Sequence, residues 1–255
     1  MADQSSLETI SETLIAARRS ARALPGFPGT LPETFADAYE VQRISRSRWN
    51  DAVAGWKVGG VPPDFIEATG QTHLVGPIFA KRVAAIGPAG KAFMPVFAGG
   101  FAAIEPEFIV KLGDTRAEDE LFIGAEIASS PLPAINTIGP IAVVSDFGNN
   151  NGMIVGPQIH GWRKHRLDTV LVECVLNGEK VGSREVADPV AAADKSIAFL
   201  LDHAAQNAID VPAGTYISTG AITGIHEAEA GANSQISFGR FGEFSLELIE
   251  AMPST

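Results

Sequence analysis

In the segment FAAIEPEFIVKL, Glu105 and Glu107 stand one residue apart inside an otherwise apolar run. Along a strand, successive side chains alternate sides. Ala102, Ile104, Phe108, Val110 and Leu112 then share one face with Pro106, and Glu105 and Glu107 share the other with Ala103, Ile109 and Lys111. Two strand steps set the Cα atoms of the pair roughly 6.5–7 Å apart, and the carboxylates can lean closer. Without a cation they would repel, and one would tend to keep its proton. A hard divalent ion such as Mg²⁺ or Mn²⁺ prefers oxygen ligands and turns that repulsion into binding. A strand with one wet face accounts for the spacing equally well. Pro106 lacks a ladder donor and points to an edge or a bulge. Glu126, in LFIGAEIASS, is a third carboxylate in an apolar stretch. By itself it reads as a surface residue on a hairpin mate.

The elements around these acids are of two textures. Ser6 to Leu24 has Leu7, Ile10, Leu14 and Ile15 at helical spacing, with Arg18, Arg19 and Arg22 toward the end where cations suit the helix dipole. Pro25, Gly26, Pro28 and Gly29 break it, and Thr34 to Trp49 reads as a second helix. From Gly55 onward, short apolar runs are punctuated by Gly and Pro, as in a β-rich body. LVGPIF, FAAIEPEFIVKL, IGPIAVVSDF and VLVECVLNGEKVG read as strands, with Asn177-Gly178 as a two-residue hairpin turn in the last. Asp188-Pro189 opens a helix reaching about Ala208. The C-terminal QISFGRFGEFSLELI reads as strand, turn and strand.

The division is therefore a helical segment over residues 1–50 and a β-rich body over 51–255, one structural domain overall. A chain of 255 residues, 45% of them hydrophobic, has enough apolar side chains for a large core. The formal net charge of −11 makes it a poor partner for a phosphate backbone, so nucleic acid is set aside. Cys174 is the single cysteine, so no intramolecular disulfide can form. No stretch is apolar over a membrane span's length, and acidic residues precede the first basic one at the N-terminus. The expectation is a soluble cytoplasmic protein.

The order GWKVGG, LVGPIF, IEPEFIVKL, AEIASS, DFGNNNGMIVG and YISTGAITG resembles the fumarylacetoacetate hydrolase superfamily. Within it, the chain looks most like the 2-keto-4-pentenoate hydratase and 4-oxalocrotonate decarboxylase branch. The match runs from FADAYEVQ near residue 35 to the C-terminal strands. The resemblance implies an α+β fold, a mixed β-sandwich-like roll with N-terminal helices and one helix packed on the roll. It implies Mg²⁺ or Mn²⁺ held by Glu105, Glu107 and Glu126. Lys57 matches the lysine of a Gly-x-Lys-x-Gly strand, where Gly55 and Gly59 leave room for a ligand against the backbone. Thr219 and Gly220 match a loop that closes over the substrate. The implied activity is a lyase that hydrates an unsaturated 2-keto acid. Decarboxylation of an oxalocrotonate-like diacid is the alternative, and carbon–carbon hydrolysis a third option. A homo-oligomer and a pathway-enzyme partner are implied in the same way.

The chain departs from the branch in three places. The aspartate usual before the Gly of HLVG is Leu74, with His73 beside it as a candidate replacement proton carrier or an ordinary polar residue at a strand entry. The Asp-Ser-Arg usual after the third ligand is Ala128-Ser129-Ser130, and the C-terminal Gly-Asp is Gly231-Ala232. The missing aspartate keeps open a non-catalytic partner subunit that retains the metal fold. Asp146 reads as a turn acid or as a support for the site. The basic cluster His160, Arg163, Lys164, His165 and Arg166 reads as a solvated face or subunit contact, and Cys174 as packed core.

Overall fold

The computed structural model describes residues 3–164 and 167–254, so His165 and Arg166 lie outside the described residues. Its helices are α1 (Gln4–Ser20), α2 (Phe35–Arg48), α3 (Pro63–Thr69), α4 (Ile135–Ile138), α5 (Pro140–Ser145) and α6 (Pro189–Gln206). Its strands are β1 (Val53–Gly60), β2 (His73–Phe79), β3 (Val83–Ala85), β4 (Lys91–Val96), β5 (Phe101–Lys111), β6 (Glu120–Ser130) and β7 (Asn150–Gln158). They continue with β8 (Val170–Leu176), β9 (Glu179–Val186), β10 (Tyr216–Ser218), β11 (His226–Glu227), β12 (Asn233–Ser237) and β13 (Glu243–Glu250).

Local chemistry sets several of these boundaries. The Thr34 hydroxyl accepts from the Asp37 N–H at 3.1 Å and opens α2, and the Asp188 carboxylate accepts from the Ala191 N–H at 2.9 Å and opens α6. Asn177 and Gly178, with φ of 51° and 87°, turn β8 into β9. One expected strand is absent: the apolar run IGPIAVVSDF folds as the end of α4 and the whole of α5. Gly139 breaks the chain at φ 112°, Pro140 pre-sets a first helical turn, and Ala142, Val143 and Val144 are all buried. A short run buried all round carries no period that separates strand from helix.

Two mixed sheets form the body. The first runs β2-β1-β10-β5-β6-β7-β3, with β11 also paired to β5, and the second runs β4-β13-β12-β8-β9. Parallel pairs β1–β10, β3–β7 and β4–β13 sit among antiparallel ones. The main core lies between the sheets. Ile104, Phe108 and Val110 of β5 meet Cys174, Ile236 and Leu246 of the second sheet, and Ile197 and Leu200 of α6 join the same core. The opposite face of β5 is covered by the N-terminal helices. Leu7, Ile10 and Leu14 of α1 and Val41 of α2 pack with Ala103, Ala128 and Val144. Each such side chain contributes about 1.5–3 kcal/mol when fully buried, so four or five of them anchor the helices firmly on the face that carries the glutamates.

Pro106 lies inside a central strand, not at the outer edge of a sheet. Its flank pairs with β10 at residues 109–111 and with β11 at residues 103–104, leaving a gap between them. In that gap the Pro106 carbonyl accepts from the Ile222 N–H at 2.9 Å. A residue's N and C=O point to the same side of a strand, so the missing donor of Pro106 falls where the ladder is already interrupted.

Candidate metal centre and active site

The β5–β6 register places Glu105 directly opposite Glu126, and Glu107 lies two residues along on the same face. Each of the three offers a carboxylate oxygen within 4.8 Å of the others. They are 6%, 1% and 1% exposed for Glu105, Glu107 and Glu126, so water does little to separate the charges. The wet-faced strand is thereby excluded, and Glu126 is a hairpin mate that is buried instead of being at the surface.

The partners of these acids are few. Glu107 Oε2 accepts from the Ser218 hydroxyl and, at 2.8 Å, from the Gly220 N–H. Its Oε1 is buried with no hydrogen-bond partner among the described residues. Glu126 Oε1 accepts from Lys57 Nζ at 2.8 Å and from Asn150 Nδ2 at 3.0 Å. Lys57 Nζ also donates to Asn149 Oδ1 at 3.1 Å. One ammonium therefore faces three carboxylates. Burial lifts the Glu105 carboxyl to about 7, with Lys57 pulling it down and Glu126 pushing it further up. Burial, then Glu126 and Glu105, hold Glu107 well above the usual carboxylate range, against the hydrogen bonds from Ser218 and Gly220. Burial lowers Lys57, but Glu126 and Glu105 raise it more, and the net direction is up. A buried excess of negative charge, an orphaned carboxylate oxygen and an all-oxygen donor set together fit a hard divalent cation.

The segment Asp146 to Asn151 supplies Asn149 and Asn150, which sequence reasoning did not assign to the site, and Asp146, which it read as a turn acid or a support. Phe147, Gly148 and Asn149 all have positive φ, of 56°, 67° and 52°. This turn lies so close to β2 that a Cβ on Gly76 would come within 2.4 Å of the Phe147 carbonyl. The close approach carries Asn149 to Lys57, and Asn150 follows onto Glu126. Arg18 of α1 holds the turn from behind. Its guanidinium pairs with Asp146 at 2.6 Å and donates to the carbonyls of Ser129, Asp146 and Asn150 at 3.2, 3.1 and 3.1 Å. Ser130 donates to the same Asp146 at 2.6 Å. The asparagine run NNN between a Gly-containing turn and a strand was the available signal. No spacing rule connects Arg18 to it across 128 residues.

A cavity of about 290 Å³ opens beside the cluster, its polar lining made by Lys57, Glu105, Asn136 and Asn149. Gly59 fronts it, as the alternation with Lys57 suggests. Gly55 does not, because a Cβ there would meet the Tyr216 carbonyl at 2.6 Å. Leu74 lines the cavity and its neighbour His73 does not. The pleat turns His73 to the other side, where its ring lies 5.0 Å from Phe199 of α6. Thr219 and Gly220 sit beside the acids but in supporting positions. The Thr219 hydroxyl donates to the Phe108 carbonyl at 2.8 Å, and the Gly220 N–H is used by Glu107. The same loop reaches the cavity through Ala221 and Ile225. Elsewhere, His160 is exposed, and Arg163 pairs with Asp119 and Asp194, so this part of the basic cluster is an ion-paired face.

No protein-family model matches the sequence, and no curated protein matches it. Solved structures do. The 4-oxalocrotonate decarboxylase from Pseudomonas putida G7, complexed with magnesium and adipate, superposes with a TM-score of 0.78 at 23% identity, covering 98% of this chain and 99% of that one. The same enzyme complexed with calcium and acetate gives 0.77 at 22% identity, covering 98% and 99%. The chain has the fumarylacetoacetate hydrolase fold. A fumarylpyruvate hydrolase from Pseudomonas aeruginosa, in complex with Mn²⁺ and pyruvate, shares that fold more loosely, with a TM-score of 0.52 at 14% identity over 77% of this chain and 89% of that one. The expected mixed α+β roll is therefore found, and the fumarylacetoacetate hydrolase fold accounts for the curled sheets and the helix packed against them.

Proposed function

We propose that the chain is a divalent-cation-dependent enzyme of the fumarylacetoacetate hydrolase superfamily that hydrates a short unsaturated 2-keto acid. A substrate like 2-hydroxypenta-2,4-dienoate would give a 4-hydroxy-2-keto acid. The observation that carries the proposal is the buried cluster of Glu105, Glu107 and Glu126 with its orphaned Glu107 oxygen, placed beside a small cavity. Mg²⁺ or Mn²⁺ held by the three glutamates would supply a Lewis acid for the negative charge that develops on the 2-oxo oxygen.

The residues of the chain do the rest. Asn150 and Lys57 fix the orientation of Glu126 by their hydrogen bonds at 3.0 and 2.8 Å. Ser218 and Gly220 fix Glu107 in the same way, leaving one oxygen directed elsewhere. Lys57, its ammonium favoured by the acids around it, serves as a cation that orients the substrate and presents a proton at Nζ. It is not set up as a base. His73 has no place in this scheme, since it faces α6. The positions of Thr219 and Gly220 support holding the acid cluster in place and give neither a direct part in gripping substrate.

A second reading, decarboxylation of an oxalocrotonate-like 2-keto diacid, is favoured by the likeness to the Pseudomonas putida decarboxylase over nearly the whole chain. It would draw on the same stabilisation of negative charge at the 2-oxo oxygen. Steady-state turnover of 2-hydroxypenta-2,4-dienoate, with and without Mg²⁺, tests the proposal. Cation-dependent formation of the hydroxyketo acid supports it. Release of CO₂ from 4-oxalocrotonate without hydration of the dienol replaces it with the second reading. Turnover of neither would remove both readings, and tight binding of a keto acid with no turnover of any tested one would favour a binding subunit.

A further inference from the structure

A second cavity, of about 280 Å³, lies where the end of α1 meets the turn between β2 and β3, and it shares no lining residue with the cavity beside the glutamates. Four cationic side chains line it, Arg18, Arg19, Lys81 and Arg82, against one acid, Asp51. In a chain of net charge −11, that local excess runs against the bulk. Arg18 is neutralised by its pair with Asp146. Arg19 donates to the Arg48 carbonyl at 2.6 Å and lies 5.7 Å from the Trp49 ring, and Lys81 Nζ donates to the Asn50 carbonyl at 3.3 Å. Those partners are neutral, so neither charge is matched. Arg82 is half-buried, and its guanidinium makes no hydrogen bond and no ion pair among the described residues. Burial disfavours its charge, the Arg18 charge pushes the same way, and Asp51 offsets only part of this, so its pKa is held below the ordinary arginine value. With Arg18 set against Asp146 and one other cation against Asp51, two positive charges remain without an anion.

A guanidinium taken partly out of water without a partner is costly, and its planar fork of donors matches an oxyanion two bonds at a time. Two unmatched charges around one small cavity come close to the charge of about −1.5 to −2 that a phosphate group carries at neutral pH. We propose that this second cavity is a binding site for a phosphate group, gripped by Arg82 together with Arg19 and Lys81. Free phosphate and the phosphate ester of a small aromatic molecule share that chemistry. Trp49 and Phe79, whose ring centroids lie 5.7 Å apart, stand in the same lining and offer an ester a surface to lie on. The inference is independent of the oxo-acid reading, because Arg19, Lys81 and Arg82 take no part in the glutamate cluster.

The test titrates inorganic phosphate and phenyl phosphate calorimetrically into the full chain, at neutral pH and fixed ionic strength. Divalent ions are left out, so that the bare glutamates repel anions from the other cavity. The wild type should bind phosphate saturably. Arg82→Met keeps the stem and removes the fork, and it should weaken binding at least about tenfold. Arg82→Lys keeps the charge without the fork and should fall between the two. Lys81→Ala, a change at an exposed position, should also weaken binding, by less than Arg82→Met. Tighter binding of phenyl phosphate than of phosphate assigns the site to an ester, and equal or weaker binding assigns it to the free anion. No saturable binding of either probe by the wild type at millimolar concentration overturns the inference, and so does undiminished affinity in Arg82→Met. Should that variant not fold, undiminished affinity in both Arg82→Lys and Lys81→Ala overturns it instead.

Discussion

Arg18→Met should be among the most damaging single changes outside the carboxylate cluster. Arg18 has a side chain only 3% exposed, and its partner Asp146 is 1% exposed. The substitution keeps a long apolar stem between Phe97 and Phe147, whose rings lie 5.4 and 5.2 Å from the guanidinium carbon. It removes the charge, leaving Asp146 with the Ser130 hydroxyl as its remaining side-chain donor. It also strips donors from three backbone carbonyls of the β6 end and the 146–151 turn. Breaking a buried pair from one side costs about 3–5 kcal/mol. At roughly 2–4 °C per kcal/mol for a chain of this size, the melting temperature should drop by about 6–20 °C. Urea unfolding of wild type, Arg18→Met, Asp146→Asn and the double variant measures the coupling. The double variant should be less destabilised than the sum of the singles, because the uncompensated carboxylate is gone. A loss below about 1 kcal/mol in Arg18→Met, within the range of an exposed pair, or strict additivity in the cycle, would refute the claim that this pair pins the turn.

Three further outcomes are expected. Asn150→Ala should weaken Mg²⁺ binding about 10- to 100-fold, as loss of a residue orienting a metal ligand does, measured by calorimetry; an unchanged affinity would show that Glu126 needs no such support. His73→Ala should leave turnover of the dienol within about threefold of wild type, since the ring packs on Phe199 away from the cavity, and a loss of a hundredfold or more would restore it as a proton carrier. Without divalent ions, Glu105 should make stability fall as pH rises. Its native pKa of about 7 lies above the ordinary 4.5, so between those values the folded chain holds a proton the unfolded chain has released. Comparing urea unfolding of wild type and Glu105→Gln from pH 4.5 to 7 should show a flatter slope in the variant, and parallel slopes would contradict the assignment.

The alternation in IEPEFIVKL was enough to put Glu105 and Glu107 on one face, and a pattern of period two needs no tertiary information. The cap at Asp188 and the Asn177-Gly178 turn were legible for the same reason: each is a local hydrogen-bond or φ requirement met within a few residues. Placement of Glu126 opposite Glu105 is a register between strands, which neither segment encodes alone. The helix at Pro140–Ser145 was missed because complete burial erases amphipathic period. Arg18 was read as a helix-end cation, which its position allows, and nothing local shows that a residue 128 places away awaits it. His73 and Leu74 are neighbours in sequence, and only the direction of the β2 pleat shows which of them meets the cavity.

The central claim is that Glu105, Glu107 and Glu126 hold a divalent cation, and thermal melting under Mg²⁺ titration tests it most directly. At a concentration about 100 times its dissociation constant, a ligand of the native state adds about 2.7 kcal/mol, or roughly 5–10 °C here. Wild type should show that rise, and Glu107→Ala should lose most of it even where the variant, freed of a buried unpaired oxygen, melts higher without the ion. A wild-type melting temperature indifferent to millimolar Mg²⁺ and Mn²⁺, or an equal shift in Glu107→Ala, would contradict the account.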